Sequence, residues 1–255
     1  MIVRKVLVAY LEEMFSLAAS PDVSYNGLQF EGADEISSLA TGVDATVDFI
    51  RAAGRKKAQF AIVHHGLFWK GKEWRKIDRF ARETVTELIS SDLNLFAIHL
   101  PLDGHPEVGN NARIAQAIDA RPECAFGEFL GRKIGTLGKF DSPISKEKFK
   151  LRCERAIGPV LHHLDFGPPK ISKVGIVSGG GWDSLLDPMV YDGGLDAILT
   201  GEVIHQAVAP CRERKIHLFA LGHYATETFG VKALGEHLSA KFGLKHTFIN
   251  LPTGL

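Results

Sequence analysis

The sequence predicts an α/β protein built as two lobes with mixed, largely parallel sheets, and three observations carry that prediction. Short apolar runs alternate with helical stretches in two separate parts of the chain, 38–98 and 173–249. A stretch of different texture, about 125–170, lies between them and ends in the connector Gly167-Pro-Pro-Lys170. With 255 residues and 45% hydrophobic side chains, either two small lobes or one large domain can close a core.

The first part reads as strand 38–43, helix 47–57 and strand 59–63. A helix over 77–90 follows, in which Phe80, Val85, Leu88 and Ile89 recur near helical spacing, and it leads into the apolar run 95–98. The middle stretch reads as a strand over 131–140 and a charged helix from Ser145. Strands at 173–177, 195–199, 216–221 and 246–249 then alternate with helices at 182–191, 203–212 and 225–240. Such alternation favours parallel strands joined by crossover helices. The expected lobes are 1–125, with a return of the C-terminal end to it left open, and 126–255.

Lys plus Arg and Asp plus Glu number 30 each, so no field of one sign draws in nucleic acid or an anionic membrane. The basic stretch 146–155 reads as a solvated helix face. Cys124, Cys153 and Cys211 are odd in number, far apart and outside any Cys-x-x-Cys pair, which argues against a disulfide framework and suits a reducing cytosol. The N-terminus is broken by charge after three residues and is not expected to be a signal peptide. No apolar run approaches the roughly 20 residues of a membrane span.

Ligands of open α/β sheets bind at the carboxyl ends of strands, and here those ends collect one kind of chemistry. After 61–63 comes His64-His65-Gly66; after 96–98 comes His99-Leu-Pro-Leu-Asp103-Gly104; after 219–221 comes Gly222-His223-Tyr-Ala-Thr-Glu227. Imidazole and carboxylate without cysteine suit divalent zinc, iron, manganese, cobalt or nickel. In an extended strand His64 and His65 point to opposite sides, awkward for one ion but suited to serving one ion each. Asp103 or Glu227 can bridge paired ions, and His223 and Glu227, four apart, share a helix face.

Each piece alone has a duller explanation: a polar strand end, an Asp-Gly turn, a helix ion pair. Their conjunction at matching strand ends argues for a site. Thr200-Gly-Glu202 and His205 end another strand of the same half, where Glu202 suits an acid, a base or a helix-start carboxylate. Ser178-Gly-Gly-Gly181 follows a strand and precedes a helix, as a phosphate cradle or a tight turn does. Asp44-Ala-Thr46 reads as a helix cap. His162-His163, in a strand-like run, reads as structural; His105, His217, His237 and His246 carry no clear signal.

Tyr25-Asn-Gly-Leu-Gln29, Val63-His-His-Gly66, His99-Leu-Pro-Leu-Asp103 with Gly109-Asn-Asn111, Ser178-Gly-Gly-Gly181, Thr200-Gly-Glu202 and Gly222-His-Tyr-Ala-Thr-Glu227 stand in order along the chain. Together they resemble the Nif-three-like family of dinuclear-metal proteins, whose members are often labelled GTP cyclohydrolase 1 type 2 homologues. The resemblance implies a two-lobed subunit in a toroidal homohexamer, with two divalent ions per subunit in the cleft between lobes. It puts the metal ligands on His64, His65, Asp103, His223 and Glu227, with His99 as a near neighbour. A domain inserted between the lobes of some members is not expected here.

The expected function is a cytoplasmic, metal-dependent hydrolase of a nucleotide or related heterocycle, in which His99 or Glu202 moves protons. Nothing in the sequence independently signs guanine, and neither fold nor metal fixes a substrate. Two other functions fit the same residues: a non-catalytic metal-binding or protein-interaction scaffold, and a metal-dependent phosphoesterase resting on the glycine turn. The partners expected are further copies of the chain and a small molecule, with no nucleic acid and no membrane.

Overall fold

Strands and helices alternate as the apolar periodicity requires. A computed structural model describes the chain except for Glu73, Arg75 and Gly193, and gives Tyr191 by its backbone alone. The chain opens with β1 (Ile2–Val3), α1 (Arg4–Met14), β2 (Gly27–Phe30), β3 (Glu35–Ile36), β4 (Ser38–Asp44), α2 (Val47–Arg55), β5 (Phe60–His65), α3 (Arg79–Ser90) and β6 (Asn94–Ala97). Next come α4 (Leu100–Asp103), α5 (Asn110–Ala117), β7 (Arg121–Phe129), β8 (Arg132–Ser145), α6 (Lys146–Ala156), β9 (His162–Leu164) and β10 (Lys170–Val177). The remainder is α7 (Pro188–Tyr191), β11 (Ala197–Thr200), α8 (Val208–Arg214), β12 (His217–Ala220), α9 (His223–Phe242) and β13 (Lys245–Phe248).

These elements form two compact units: Met1–Leu102 with Val231–Leu251, and Asp103–Gly230 with Pro252–Leu255. Residues 103–125, placed in the N-terminal lobe by the sequence, lie in the second unit, because Ile114, Ala115, Ile118 and Ala120 pack into its core. Residues 231–251 return to the first unit because β13 pairs in parallel with β4.

In the first unit the sheet order is β13-β4-β5-β6-β2, parallel throughout except at the antiparallel edge strand β2. Alternate residues Ala40, Ala61, Val63, Leu95 and Ala97 face one core with Phe49, Ile50 and Ala53 of α2 and Leu88 of α3. Helix α2 starts where Thr46 accepts a hydrogen bond from Phe49 N–H, the expected cap, and carries Asp48 in its first turn and Arg55 in its last.

The second unit has a six-stranded sheet, β7-β8-β10-β11-β12-β9. Its centre, β10-β11-β12, is parallel, and β8, β7 and β9 pair antiparallel at the two sides. Both faces are buried, as parallel strands require. Val174, Ile176, Ala197, Leu199 and Phe219 enter one core beside Phe149 and Cys153 of α6, while Val177, Ile198, Leu218 and Ala220 enter another beside Cys211 of α8.

The helix expected over 182–191 is instead a 3-10 stretch, Gly181–Leu186, followed by α7. Pro188 explains the break: its ring disfavours a helical conformation at the preceding residue, and Asp187 takes ψ 135° and caps α7 through Met189 N–H. Among the described residues no helix is long and apolar enough to cross a membrane.

Cys153 and Cys211 are buried and Cys124 is exposed. Burial pushes the Cys211 thiol up to about 11 and the Cys153 thiol further. The expected result is that a thiol-exchange reagent modifies one cysteine quickly in the native chain and all three only after denaturation, read by absorbance and by mass.

Candidate functional site

Three imidazoles gather at the carboxyl ends of β5 and β6. His64 and His65 end β5 and His99 follows β6, with ring centroids 4.8 Å (His64–His65), 5.0 Å (His64–His99) and 5.5 Å (His65–His99) apart. The expectation that His64 and His65 point apart is therefore corrected. At the strand's last residue His65 is held towards β4 by Asp44, its register partner on that strand, and one ring nitrogen from each of the three imidazoles lies within 4.8 Å of the others.

Each ring is oriented by an acceptor. His64 Nδ1–H donates to the Ile98 carbonyl at 3.0 Å, His65 Nδ1–H to Asp44 Oδ1 at 2.8 Å, and His99 Nδ1–H to Asp22 Oδ1 at 2.7 Å. A carbonyl or ionised carboxylate only accepts, so the proton sits on Nδ1 and the metal-binding lone pair on Nε2. This is the arrangement that supports metal-bound histidine.

Asp22 is also the anchor of its loop. It accepts from Ser24 N–H (3.0 Å), Asn26 Nδ2 (2.8 Å) and Leu100 N–H (3.0 Å). Burial on its own raises its pKa, yet His99, Ser24 N–H and Asn26 together hold the carboxyl below its usual range. A depressed native pKa stabilises the fold above the unfolded value, 3.8, and that stabilisation is lost as pH falls through the native value. Asp22→Asn is thus expected to lower the urea midpoint at pH 7, with the difference from the parent shrinking below about pH 4.

The second unit presents carboxylates with one imidazole. His223 opens α9, and its Nε2 lies 3.0 Å from Glu227 Oε1 one turn on, while its Nδ1 lies 2.7 Å from Glu202 Oε1. Burial alone lowers the His223 pKa, but the hydrogen bonds and charges of Glu227 and Glu202 outweigh it and raise it to about 9. Two carboxylates that favour a proton on this ring equally favour a divalent cation in its place. Asp103 ends α4, and its Oδ1 accepts from Asn110 Nδ2 at 2.8 Å and Ser178 Oγ at 2.9 Å. Asp103 and Glu227 are only 5% and 3% exposed, so both carboxylates are buried.

The glycine run beside them keeps the carboxylate's space open. A Cβ on Gly179 would stand 2.3 Å from Glu227 Oε1 and 3.0 Å from His223 Nε2, and its φ of +62° lies in the left-handed region. Three amides of the run are satisfied internally: Ser178 N–H by Asn111 Oδ1 (2.7 Å), Gly179 N–H by Thr226 Oγ1 (3.0 Å) and Gly181 N–H by Thr200 Oγ1 (3.0 Å). A phosphate cradle needs those groups, so the run is a tight turn.

The donors therefore fit hard to borderline divalent metal, with the imidazoles of His64, His65 and His99 oriented by acceptors and the buried Asp103 carboxylate oriented by side-chain donors. The sequence did not point to Asp22, gave Asp44 only as part of a helix cap, and gave Asn110 only within the motif Gly109-Asn-Asn111, without its bond to Asp103. The role of Asp44 had a signal: it lies beside His65 in parallel register, which a strand alignment of 38–44 with 60–65 reveals.

The fold is that of a mixed α/β protein whose His, Asp and Glu groups could hold a metal ion. The sequence matches the Duf34/NIF3 (NGG1p interacting factor 3) family over residues 2–253, and the chain belongs to that family. It is 38% identical over 253 residues to a Pyrococcus horikoshii protein named GTP cyclohydrolase 1 type 2 homolog, covering 99% of each chain. A Deinococcus radiodurans protein of the same name is 39% identical over 252 residues, covering 99% of this chain and 94% of that one. Among solved structures, protein ybgI, described as of unknown function, superposes with a TM-score of 0.90 at 34% identity over the whole of both chains. The protein TTHA1606 from Thermus thermophilus does so at 0.87 and 35%, again over the whole of both.

Proposed function

We propose that this chain is a hydrolase of a nucleotide or related heterocycle that depends on two divalent ions, with His64, His65, Asp103, His223 and Glu227 as ligands. The supporting observation is the common orientation of three imidazoles: acceptors hold Nδ1 of His64, His65 and His99 and turn Nε2 of each toward the ligand role, while His223 is held between Glu202 at Nδ1 and Glu227 at Nε2. When bound, such ions lower the pKa of a coordinated water towards about 7 and polarise the bond to be cleaved.

The chain's own residues supply orientation and proton movement. Asp44 and Glu202 fix the rings of His65 and His223; Asn110 and Ser178 fix Asp103. His99, with Nδ1 committed to Asp22, offers Nε2 to take up or return a proton. Glu202, bonded to His223 and half exposed, positions that ligand, and its proton-transfer role is secondary.

The relatives' name points to GTP ring opening as the first reaction to try. The purified chain, loaded in turn with zinc, manganese, cobalt, iron or nickel, is offered GTP and a nucleotide panel. Ring opening is followed by absorbance and phosphate release by colorimetry. Turnover that requires metal and disappears in His64→Ala/Glu227→Ala supports the proposal; absence of turnover with every metal and nucleotide contradicts it.

A scaffold is the second reading, favoured by the family description, which names an interacting factor. Retention of biological role by a metal-site variant supports it. The assembly proposed is a cytoplasmic homohexamer, checked by light scattering on the eluting protein. The phosphoesterase alternative lost its support with the glycine run.

A further inference from the structure

The pair His162-His163, expected to be structural, is on the described edge strand β9, where the two side chains differ in environment. His163 faces inward over Phe219, ring centroids 4.0 Å apart and 16° from parallel, while His162 is exposed. On the neighbouring strand β12, His217 is fully buried, and Asp165 just past β9 lies half exposed beside both rings. All three residues belong to the second unit with Asp103, Glu202, His223 and Glu227, but none is among those residues, and His217 opens β12 whereas His223 lies beyond its other end.

We propose that His163, Asp165 and His217 form a separate divalent-cation site, of zinc-like preference, that clamps the edge strand β9 and the loop after it to β12. Their ligand atoms form a tight triangle: His217 Nδ1 to Asp165 Oδ1 is 3.2 Å, His163 Nε2 to His217 Nδ1 is 3.4 Å, and His163 Nε2 to Asp165 Oδ1 is 4.0 Å. One point lies about 2.1 Å from all three atoms, the length of zinc bonds to imidazole nitrogen and carboxylate oxygen. The widest side narrows by rotation of the half-exposed Asp165 carboxylate, and solvent on that side supplies a further ligand.

The surroundings commit each group to that role. His217 Nε2 lies 2.8 Å from the Pro168 carbonyl, which only accepts, so Nε2 carries the proton and Nδ1 the lone pair facing the triangle. Gly167 N–H donates to the same Nδ1 at 3.3 Å, a long hydrogen bond that a bound cation would replace. Lys146 Nζ holds the other oxygen of Asp165 at 2.6 Å and leaves Oδ1 turned inward. Gly167 is required by the closeness of the loop: a Cβ there would meet His217 Cδ2 at 2.4 Å. A purely hydrogen-bonded cluster accounts less well for the same geometry, since 3.4 Å between two imidazole nitrogens is long for a bond between them.

The test uses the full chain in the His64→Ala/Glu227→Ala background, so that success does not depend on the site under Proposed function. Chelator-stripped protein is equilibrated with zinc, washed and counted by elemental mass spectrometry; cobalt loading gives a visible spectrum of tetrahedral character. About one zinc per chain is expected, lost in both His163→Ala and Asp165→Asn and kept in His162→Ala, with circular dichroism unchanged in all three. A zinc count or cobalt spectrum that is the same in folded His163→Ala and Asp165→Asn overturns the proposal, as does absence of zinc in the background protein.

Discussion

Gly179→Ala is expected to fold and yet to lower divalent-metal affinity at least about tenfold. The Cβ collides with the far end of the Glu227 side chain, at 2.3 Å from Oε1, and the carboxylate swings aside because the side chain is flexible. Left-handed backbone at a non-glycine residue adds about 1–2 kcal/mol of strain, small against the stability of a chain of this size. Calorimetric titration of stripped protein with zinc reads the affinity and urea unfolding reads the stability. Unchanged affinity in folded protein would show that the Glu227 carboxylate is not a ligand.

Asn110→Ala is expected to damage both fold and site. Asn110 is fully buried; its Nδ2 donates to Asp103 Oδ1 at 2.8 Å, and its Oδ1 accepts from Gly230 N–H at 2.5 Å, inside α9. Removing the amide leaves a buried N–H without its acceptor, a cost of about 1–3 kcal/mol. It also frees Asp103 to rotate, for which a further loss of about 10–100-fold in metal affinity is expected, the usual effect of losing a residue that supports a metal ligand. Asn110→Asp keeps the acceptor for Gly230 but sets a second buried carboxylate against Asp103 Oδ1, so it is expected to recover stability only at acid pH, where one of the two is protonated, and to recover little of the affinity. Equal recovery of both would assign Asn110 to structure alone.

Much of this architecture is legible in the sequence because its parallel strands are buried on both faces and so read as short apolar runs. Segments 60–65, 94–97, 197–200 and 217–220 are of that kind, and each lies within a residue or two of its expectation. Strand β7 was not legible: it is an edge strand whose first five residues are exposed, so Arg121-Pro-Glu-Cys-Ala125 carries no apolar alternation. Helix α1 and strand β2 were missed for a related reason. The helix buries only Leu7 and Leu11, and the strand pairs antiparallel at the edge of its sheet. The helix expected over 203–212 is a 3-10 turn at His205–Ala207 and then α8, with Pro210 in its first turn.

The placement of the candidate donors at strand ends was legible for a different reason. Strand ends in this fold class converge on one side of a sheet, so histidines and carboxylates placed just after apolar runs end up as neighbours. The residues that orient them were not. Asp22 reaches His99 across 77 positions and Asn110 reaches Gly230 across 120, contacts that no local pattern encodes. His163, Asp165 and His217 escaped because no local pattern sets the register between β9 and β12, and it is the antiparallel pairing of Phe219 with His163 that brings the rings together.

Elemental mass spectrometry on untagged protein, with His64→Ala/Glu227→Ala beside the parent, tests the central claim most directly. The parent is expected to carry about two more divalent ions per chain than the double variant, with both proteins unfolding cooperatively. Equal metal content in the two, after reconstitution with zinc, manganese or iron, would contradict the assignment of these residues as ligands.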